Sequence, residues 1–266
     1  MLSGPSVNAH TIPAVQPGRW VKLHTDETFA AVLEHLKPLP PYAMLLGLCA
    51  DGWPLIFDLL DHTLGSLAIL GESAAGNTAA LASMLASVVE LNRPEDVNVH
   101  VITSRTEAFA GLLERRGFGR VYPVDDMASR ILVEEFSKLA GERQAGMAVD
   151  RVQVLAIDGL AALLAGMDQG QVNALKWLLR VGPQTGIRLI IAHSGGEAPA
   201  GCRQCVDLCL TQINQASNPP AAAGRAGENP HVDPAPPVPN LGYVVRSGSD
   251  QRAIEILNPP NFESSI

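Results

Sequence analysis

The segment LAILGESAAGNTAALASML, Leu67–Leu85, places small and polar residues where phosphate chemistry would need them. Four apolar residues lead into Gly71, and Gly76 follows at the separation that frames a phosphate-binding loop. Such a loop works through its main chain, because successive N–H groups and the start of the next helix converge on phosphate oxygens. The candidate binding residues are therefore Gly71, Glu72, Ser73, Ala74, Ala75, Gly76, Asn77 and Thr78. In the working pattern a lysine reaches the β- and γ-phosphates, and a Ser or Thr hydroxyl ligates magnesium. Thr78 stands at the hydroxyl position, but Asn77 stands at the lysine position. The metal also needs a carboxylate following a buried apolar strand. Asp158, which closes VQVLAID, meets that need. Thr78 and Asp158 are the candidate magnesium ligands, and ATP is the candidate cofactor, bound weakly if at all. Two glycines alone are a weak signal; a strand before, a helix after and the downstream Asp raise its specificity.

These residues need strands and helices to hold them, and the chain supplies both in alternation. TDETFAAVLEHL predicts a helix capped by Thr25 or Asp26, with Phe29, Val32, Leu33 and Leu36 on one face. YAMLLGLCADGWPLIFDLL predicts two strands joined at Asp51-Gly52. SLAIL, VNVHVITS, GRVYPV, RVQVLAID and IRLIIAHS predict further strands. Between them, helices are expected over 77–91, in AFAGLLERRG ending at Gly117, over 127–143, and in QVNALKWLLRVG. In the 127–143 helix, Ile131, Leu132, Phe136 and Leu139 are the expected apolar face. LGYVVRSG and RAIEILNP predict a closing hairpin. Buried strands alternating with helices predict an α/β fold, a mostly parallel sheet covered on both faces, in which ligands sit at strand carboxyl ends. The expected organisation is a disordered segment over 1–20, one domain over 21–258 with a flexible Pro- and Ala-rich insertion at 215–240, and a loose tail at 259–266.

Net charge is −8, which gives no sign of a nucleic-acid coat or a polybasic membrane anchor. The N-terminus lacks the charged start and apolar run of a signal peptide, and no apolar run reaches the roughly 18 residues of a spanning helix. Cytoplasmic location without membrane insertion is the expectation. Cys202, Cys205 and Cys209, with His193 upstream, could be offered as zinc ligands, but a second Cys pair is missing. VDLCLTQI also alternates like a half-buried strand, which favours Val206 and Cys209 as small core hydrophobes. His62 and His193 read as hydrogen-bonded structural residues, and Asp125 or Asp126 as a helix cap. Trp53, Trp177 and Phe109 read as core or interface aromatics.

The whole arrangement resembles the FtsK/SpoIIIE motor ATPases, within the FtsK- and HerA-like ring ATPases. The resemblance begins at LLGLCADGWPLIFDLLDH and continues through LAILGESAAGNT, GRVYPVDDMASRILVEEFSKLAGERQ, VQVLAIDGLAALL and LLRVGPQTGIRLIIAHS. It covers roughly residues 42–258. It implies a P-loop NTPase-like fold, an ATP and magnesium site at Gly71–Thr78 and Asp158, and protein partners in a homo- or hetero-oligomeric ring. DNA or protein is the implied translocated substrate.

Several positions depart from that family pattern. Asn77 replaces the lysine, and one lost charge-assisted contact costs about 1.5–3 kcal/mol. Gly159 stands where the family carries a catalytic glutamate, a general base typically contributing about 10²–10⁴-fold. Pro183 stands where the family has an arginine acting across a subunit boundary, a group contributing about 10³–10⁵-fold in NTPases; Arg180 and Arg188 are the nearby substitutes. Ser194, beside His193, stands where the family has a sensor glutamine. The expectation is a degenerate domain with a structural or regulatory role. The alternatives are an active ring motor using substitute or neighbour-supplied residues, and a nucleotide-free interaction module.

Overall fold

The computed structural model describes residues 28–37, 41–49, 52–194, 199–215, 242–248 and 250–257. Ten strands among them form one sheet, in the order β2-β1-β10-β9-β8-β3-β7-β6-β4-β5. They are β1 (Ala43–Cys49), β2 (Pro54–Asp58), β3 (Leu67–Gly71), β4 (Val97–Thr103), β5 (Phe118–Pro123), β6 (Val152–Asp158), β7 (Ile187–Ser194), β8 (Thr211–Gln215), β9 (Gly242–Ser247) and β10 (Asp250–Glu255). From β8 to β5 every neighbouring pair is parallel, and from β8 to β2 every pair is antiparallel. The expected mostly parallel sheet with an N-terminal and a closing hairpin is therefore the architecture found.

Helices α1 (Phe29–Leu36) and α2 (Ala74–Leu91) pack on one face of the sheet. Helices α4 (Met127–Gln144), α5 (Leu160–Ala165), α6 (Gln169–Val181) and α7 (Ala200–Asp207) cover the other. The strands between are buried on both sides, which is why SLAIL and VQVLAID read as continuous apolar runs. Residues 77–91 are helical as expected, and that helix is the centre of the core. Its length and hydropathy would suit a membrane span, but 67% of it is buried inside the domain. Its polar residues fasten it to the sheet. Ser87 Oγ accepts from the Leu45 N–H at 2.9 Å, and Asn92 both accepts from Tyr42 N–H and donates to the Ala43 carbonyl.

Local details differ from the sequence reading. Helix α1 buries Phe29, Val32, Leu33 and Leu36 as expected, but its cap is Thr28 rather than Thr25 or Asp26. Thr28 has the extended main chain a cap requires, and its side chain accepts from the Ala31 N–H. The helix expected up to Gly117 is a 3₁₀ turn, Thr106–Phe109, followed by one short α3 (Ala110–Leu113). Asp126 caps α4; Leu132 and Phe136 are buried, whereas Ile131 is exposed because the inward face runs through Val133 and Ala140. Val206–Cys209 is not strand. Helix α7 runs to Asp207, and β8 begins at Thr211. Cys202 and Cys205 lie on its buried face, and with Cys209 they join the apolar cluster as small hydrophobes. Asp51, the 1–20 segment, most of the 215–240 insertion and the 259–266 tail lie outside the described residues.

Candidate functional site

Gly71, Thr103, Asp158 and Ser194 end the parallel strands β3, β4, β6 and β7, so the sheet brings their carboxyl ends side by side. Thr78, in the second turn of α2, faces Asp158 across this edge. Its Oγ lies 3.1 and 3.0 Å from the two carboxylate oxygens. The two residues paired by the sequence reading are thus brought together. Two more groups join them. Thr103 Oγ donates to Asp158 Oδ2 at 2.8 Å, and Arg105 Nη1 donates to Thr78 Oγ at 3.4 Å. Neither residue was singled out from sequence.

Burial governs the carboxylate. Asp158 is 7% exposed, and desolvation raises its pKa above the ordinary value. The hydroxyls of Thr103 and Thr78, then the Arg105 charge, pull the other way and only partly offset it. A carboxyl with a raised folded-state pKa weakens the fold as pH climbs through that pKa. Asp158→Asn is therefore expected to stabilise the domain at neutral pH, with the gain vanishing below the ordinary carboxylate range. Thermal melts of both proteins across that pH range check it.

The loop itself is wound tighter than the sequence pattern predicts. Helix α2 begins at Ala74, and Ser73 is its cap. Ser73 Oγ accepts the Gly76 N–H at 3.1 Å, and the Ser73 carbonyl accepts the Asn77 N–H at 3.0 Å. Donors that would line a phosphate cradle are thus used inside the helix's first turn. From the other side, buried Tyr243 donates its hydroxyl to the Gly76 carbonyl at 3.1 Å. Burial raises the Tyr243 pKa to about 12, so it remains a donor throughout the accessible pH range. Glu72 points to solvent, and Ala75 is exposed on the outer side of the turn.

Asn77 does not face a ligand position. Its amide nitrogen donates to the carbonyls of His193, at 2.9 Å, and Gly71, at 3.3 Å, tying the ends of β7 and β3 together. Its Oδ1 and the Gln215 side chain crowd the place where a Cβ on Gly71 would stand. A glycine is needed at Gly71 for that reason. Gly159, next to the carboxylate, has φ 108°, a conformation that side-chain-bearing residues rarely adopt.

The other named candidates divide simply. His193 is half-buried, and desolvation lowers its pKa. His62 opens a 3₁₀ turn capped by Asp61. Phe109 is core, Trp177 packs partly buried against the apolar side chains on the face covered by α4–α7, and Trp53 is 41% exposed. Arg188, offered from sequence as a trans-acting cation, is not available for that role. It is wholly buried and holds main-chain carbonyls of Leu59, Asp61 and Gly65. Arg180 remains at the surface, bonded to the Lys176 carbonyl. Pro183 is buried in a 3₁₀ turn before β7.

The fit to magnesium and nucleotide is split. Adjacent oxygens around octahedral magnesium stand about 2.9 Å apart for ligand distances near 2.0–2.1 Å. The 3.0–3.1 Å between Thr78 and Asp158 suits that geometry. The phosphate side does not suit it. The Gly76 and Asn77 N–H groups are engaged in the helix, the Asn77 amide is turned onto carbonyls, and the Arg105 guanidinium rests on Thr78. Magnesium is normally retained through phosphates and waters beyond one or two protein oxygens. As arranged, the pair has magnesium-ligand spacing while the loop's donors are turned onto the protein itself.

Comparison with solved structures returns the same fold. The cytoplasmic domain of the Thermomonospora curvata type VII secretion ATPase EccC aligns with TM-score 0.60 and 15% identity, over 84% of this chain and 29% of that one. The cytoplasmic domain of EssC aligns with TM-score 0.63 and 13% identity, over 89% of this chain and 48% of that one. The monomer form of the pCW3 conjugation coupling protein TcpA, with ATPγS, aligns with TM-score 0.58 and 14% identity, over 82% and 66%. The chain thus spans between 29% and 66% of these proteins. No family model matches the sequence. No curated protein matches it either.

Proposed function

We propose that this chain is a non-hydrolysing P-loop-type domain that serves as a structural or regulatory subunit of a translocation assembly. The observation that carries this reading is the Ser73-capped helical turn, which uses the main-chain donors a phosphate loop leaves free. The kept Thr78–Asp158 pair and the shared fold support descent from a working ATPase scaffold. Similarity to a secretion ATPase and a conjugation coupling protein supports a place among subunits that move protein or DNA. The partners are then neighbouring protein subunits in a ring. The assembly works at the cytoplasmic side of a membrane, and the transported chain is protein or DNA.

The test uses the purified full chain. Phosphate release with magnesium-ATP is expected to stay at background, and neither magnesium-ATP nor magnesium-ADP is expected to move the melting point. A functional site at a hundredfold excess over its Kd would stabilise the fold by about 2.7 kcal/mol, easily seen as a shift. Turnover abolished by Asp158→Ala would overturn the reading.

A further inference from the structure

The Thr78–Asp158 pair poses a question that loss of catalysis does not answer. A buried carboxylate is costly without a cation, and a pair that served only magnesium would be expected to lose its acid with the metal. Asp158 persists at 7% exposure, and the Arg105 charge acts on it, more weakly than the Thr103 and Thr78 hydroxyls do. Arg105 is anchored to the same cluster twice. Its main-chain N–H donates to Thr103 Oγ at 2.9 Å, and that hydroxyl donates on to Asp158. Its guanidinium Nη1 lies on Thr78 Oγ, the other half of the pair. The Ser104 N–H, between them, donates to the Asp158 carbonyl at 3.3 Å.

Resting on the non-hydrolysing reading above, we propose that the Arg105 guanidinium is the resident cation of the Thr78–Asp158 pair, a built-in substitute for a divalent ion. One side chain then compensates the carboxylate, occupies the hydroxyl that would ligate a metal, and clamps the ends of β4 and β6 to α2. The guanidinium is suited to this, since it stays charged and offers five donors in a fixed plane. The closed state of the site follows from Arg105 as well as from Asn77, and restoring lysine alone leaves it closed.

Two measurements on the full chain decide it. The first is a double-mutant cycle read by thermal melting. Arg105→Ala is expected to lower the melting point clearly, and the loss is expected to shrink to near nothing in an Asp158→Asn background. Arg105→Lys, which keeps the charge, is expected to recover part of it. If Arg105→Ala alone does not fold, the double variant is still expected to fold. Equal losses in both backgrounds, or a double variant that also fails, would overturn the proposal. The second uses manganese alone as a paramagnetic probe in amide NMR spectra. Signals of Thr78, Thr103 and Gly159 are expected to broaden selectively in Arg105→Ala and not in the unmodified chain. Selective broadening in the unmodified chain, or none in folded Arg105→Ala, would count against it. Phosphate release by the unmodified chain would sink the non-hydrolysing reading without moving the cycle, so the two failures are distinguishable.

Discussion

An Asn77→Lys/Gly159→Glu variant is expected to release no more phosphate than the unmodified chain and to be less stable by about 1–3 kcal/mol, the cost of an L-residue held in a strained conformation. These substitutions place lysine and glutamate at the two positions where the sequence departs most plainly from the FtsK/SpoIIIE-like pattern, so a site limited only by side chains would gain much of the roughly 10²–10⁴-fold that a general base supplies. The main chain predicts otherwise. Gly159 has φ 108°, and a glutamate there must either strain or swing the strand end that carries Asp158. A Cβ would meet Ser104 Oγ at 3.5 Å, an ordinary contact, so the penalty is conformational rather than steric. A lysine at Asn77 would enter a turn whose donors are already engaged by Ser73. Opening that turn is the larger step. Replacing Ser73, Ala74 and Ala75 by glycine weakens the cap and removes two strong helix formers, together about 2 kcal/mol of helix preference. Only with that change added, and Arg105 neutralised, is magnesium-ATP expected to raise the melting point. Turnover by the two-residue variant alone would show that the loop opens readily and that the closed turn does not determine function.

Much of this was legible before any coordinates. The hairpin at Gly52, the alternation of apolar strands with helices, and the meeting of Thr78 with Asp158 follow from residue pattern, because each depends on burial of strands whose order the fold restricts. The closed turn was partly legible. Serine followed by two alanines is a cap and a helix start, and it competes with the glycine spacing that suggests an open loop. The helix preference prevails because Gly76, the residue whose freedom favours an open loop, has its N–H taken by Ser73 and its carbonyl by Tyr243. Cys202 and Cys205 also carried a readable signal, three apart as on a helix face, which the alternation of VDLCLTQI obscured. Thr103 and Arg105 were not legible, since ITSR reads as a strand end and nothing local shows that β4 lies beside β6. Tyr243 is farther still, reaching Gly76 only because β9 joins the sheet through β8. Contacts set by sheet order among distant segments leave no local mark.

Arg188→Ala is expected to be the most destabilising single substitution among the arginines near β7, at about 2–6 kcal/mol, from about 1–3 kcal/mol for each of two buried carbonyls left without a donor. Sequence position made Arg188 a candidate trans-acting cation, but it is entirely buried. Its Nη2 donates to the Leu59 carbonyl at 2.7 Å and to the Asp61 carbonyl at 3.0 Å, and Nη1 holds the Gly65 carbonyl. The guanidinium also lies 5.2 Å from the centre of the Phe57 ring. Desolvation lowers its pKa to about 10, while Asp61 and Asp58 pull it up, so it remains charged at neutral pH at a standing cost in desolvation. Removing it leaves the buried Leu59 and Gly65 carbonyls without their side-chain donor, while the Asp61 carbonyl keeps the Leu64 N–H. Arg188→Lys keeps the charge but not the fork, and is expected to recover only part of the loss. Arg180→Ala, at the surface, is expected to change stability by no more than about 0.5 kcal/mol. Urea denaturation separates the cases: Arg188→Ala should lower the midpoint at an unchanged slope, since the folded surface is the same. Near-equal midpoints for Arg188→Ala and Arg180→Ala would mean that the connection from β2 to β3 holds without this residue. Arg188 would then be free for another role.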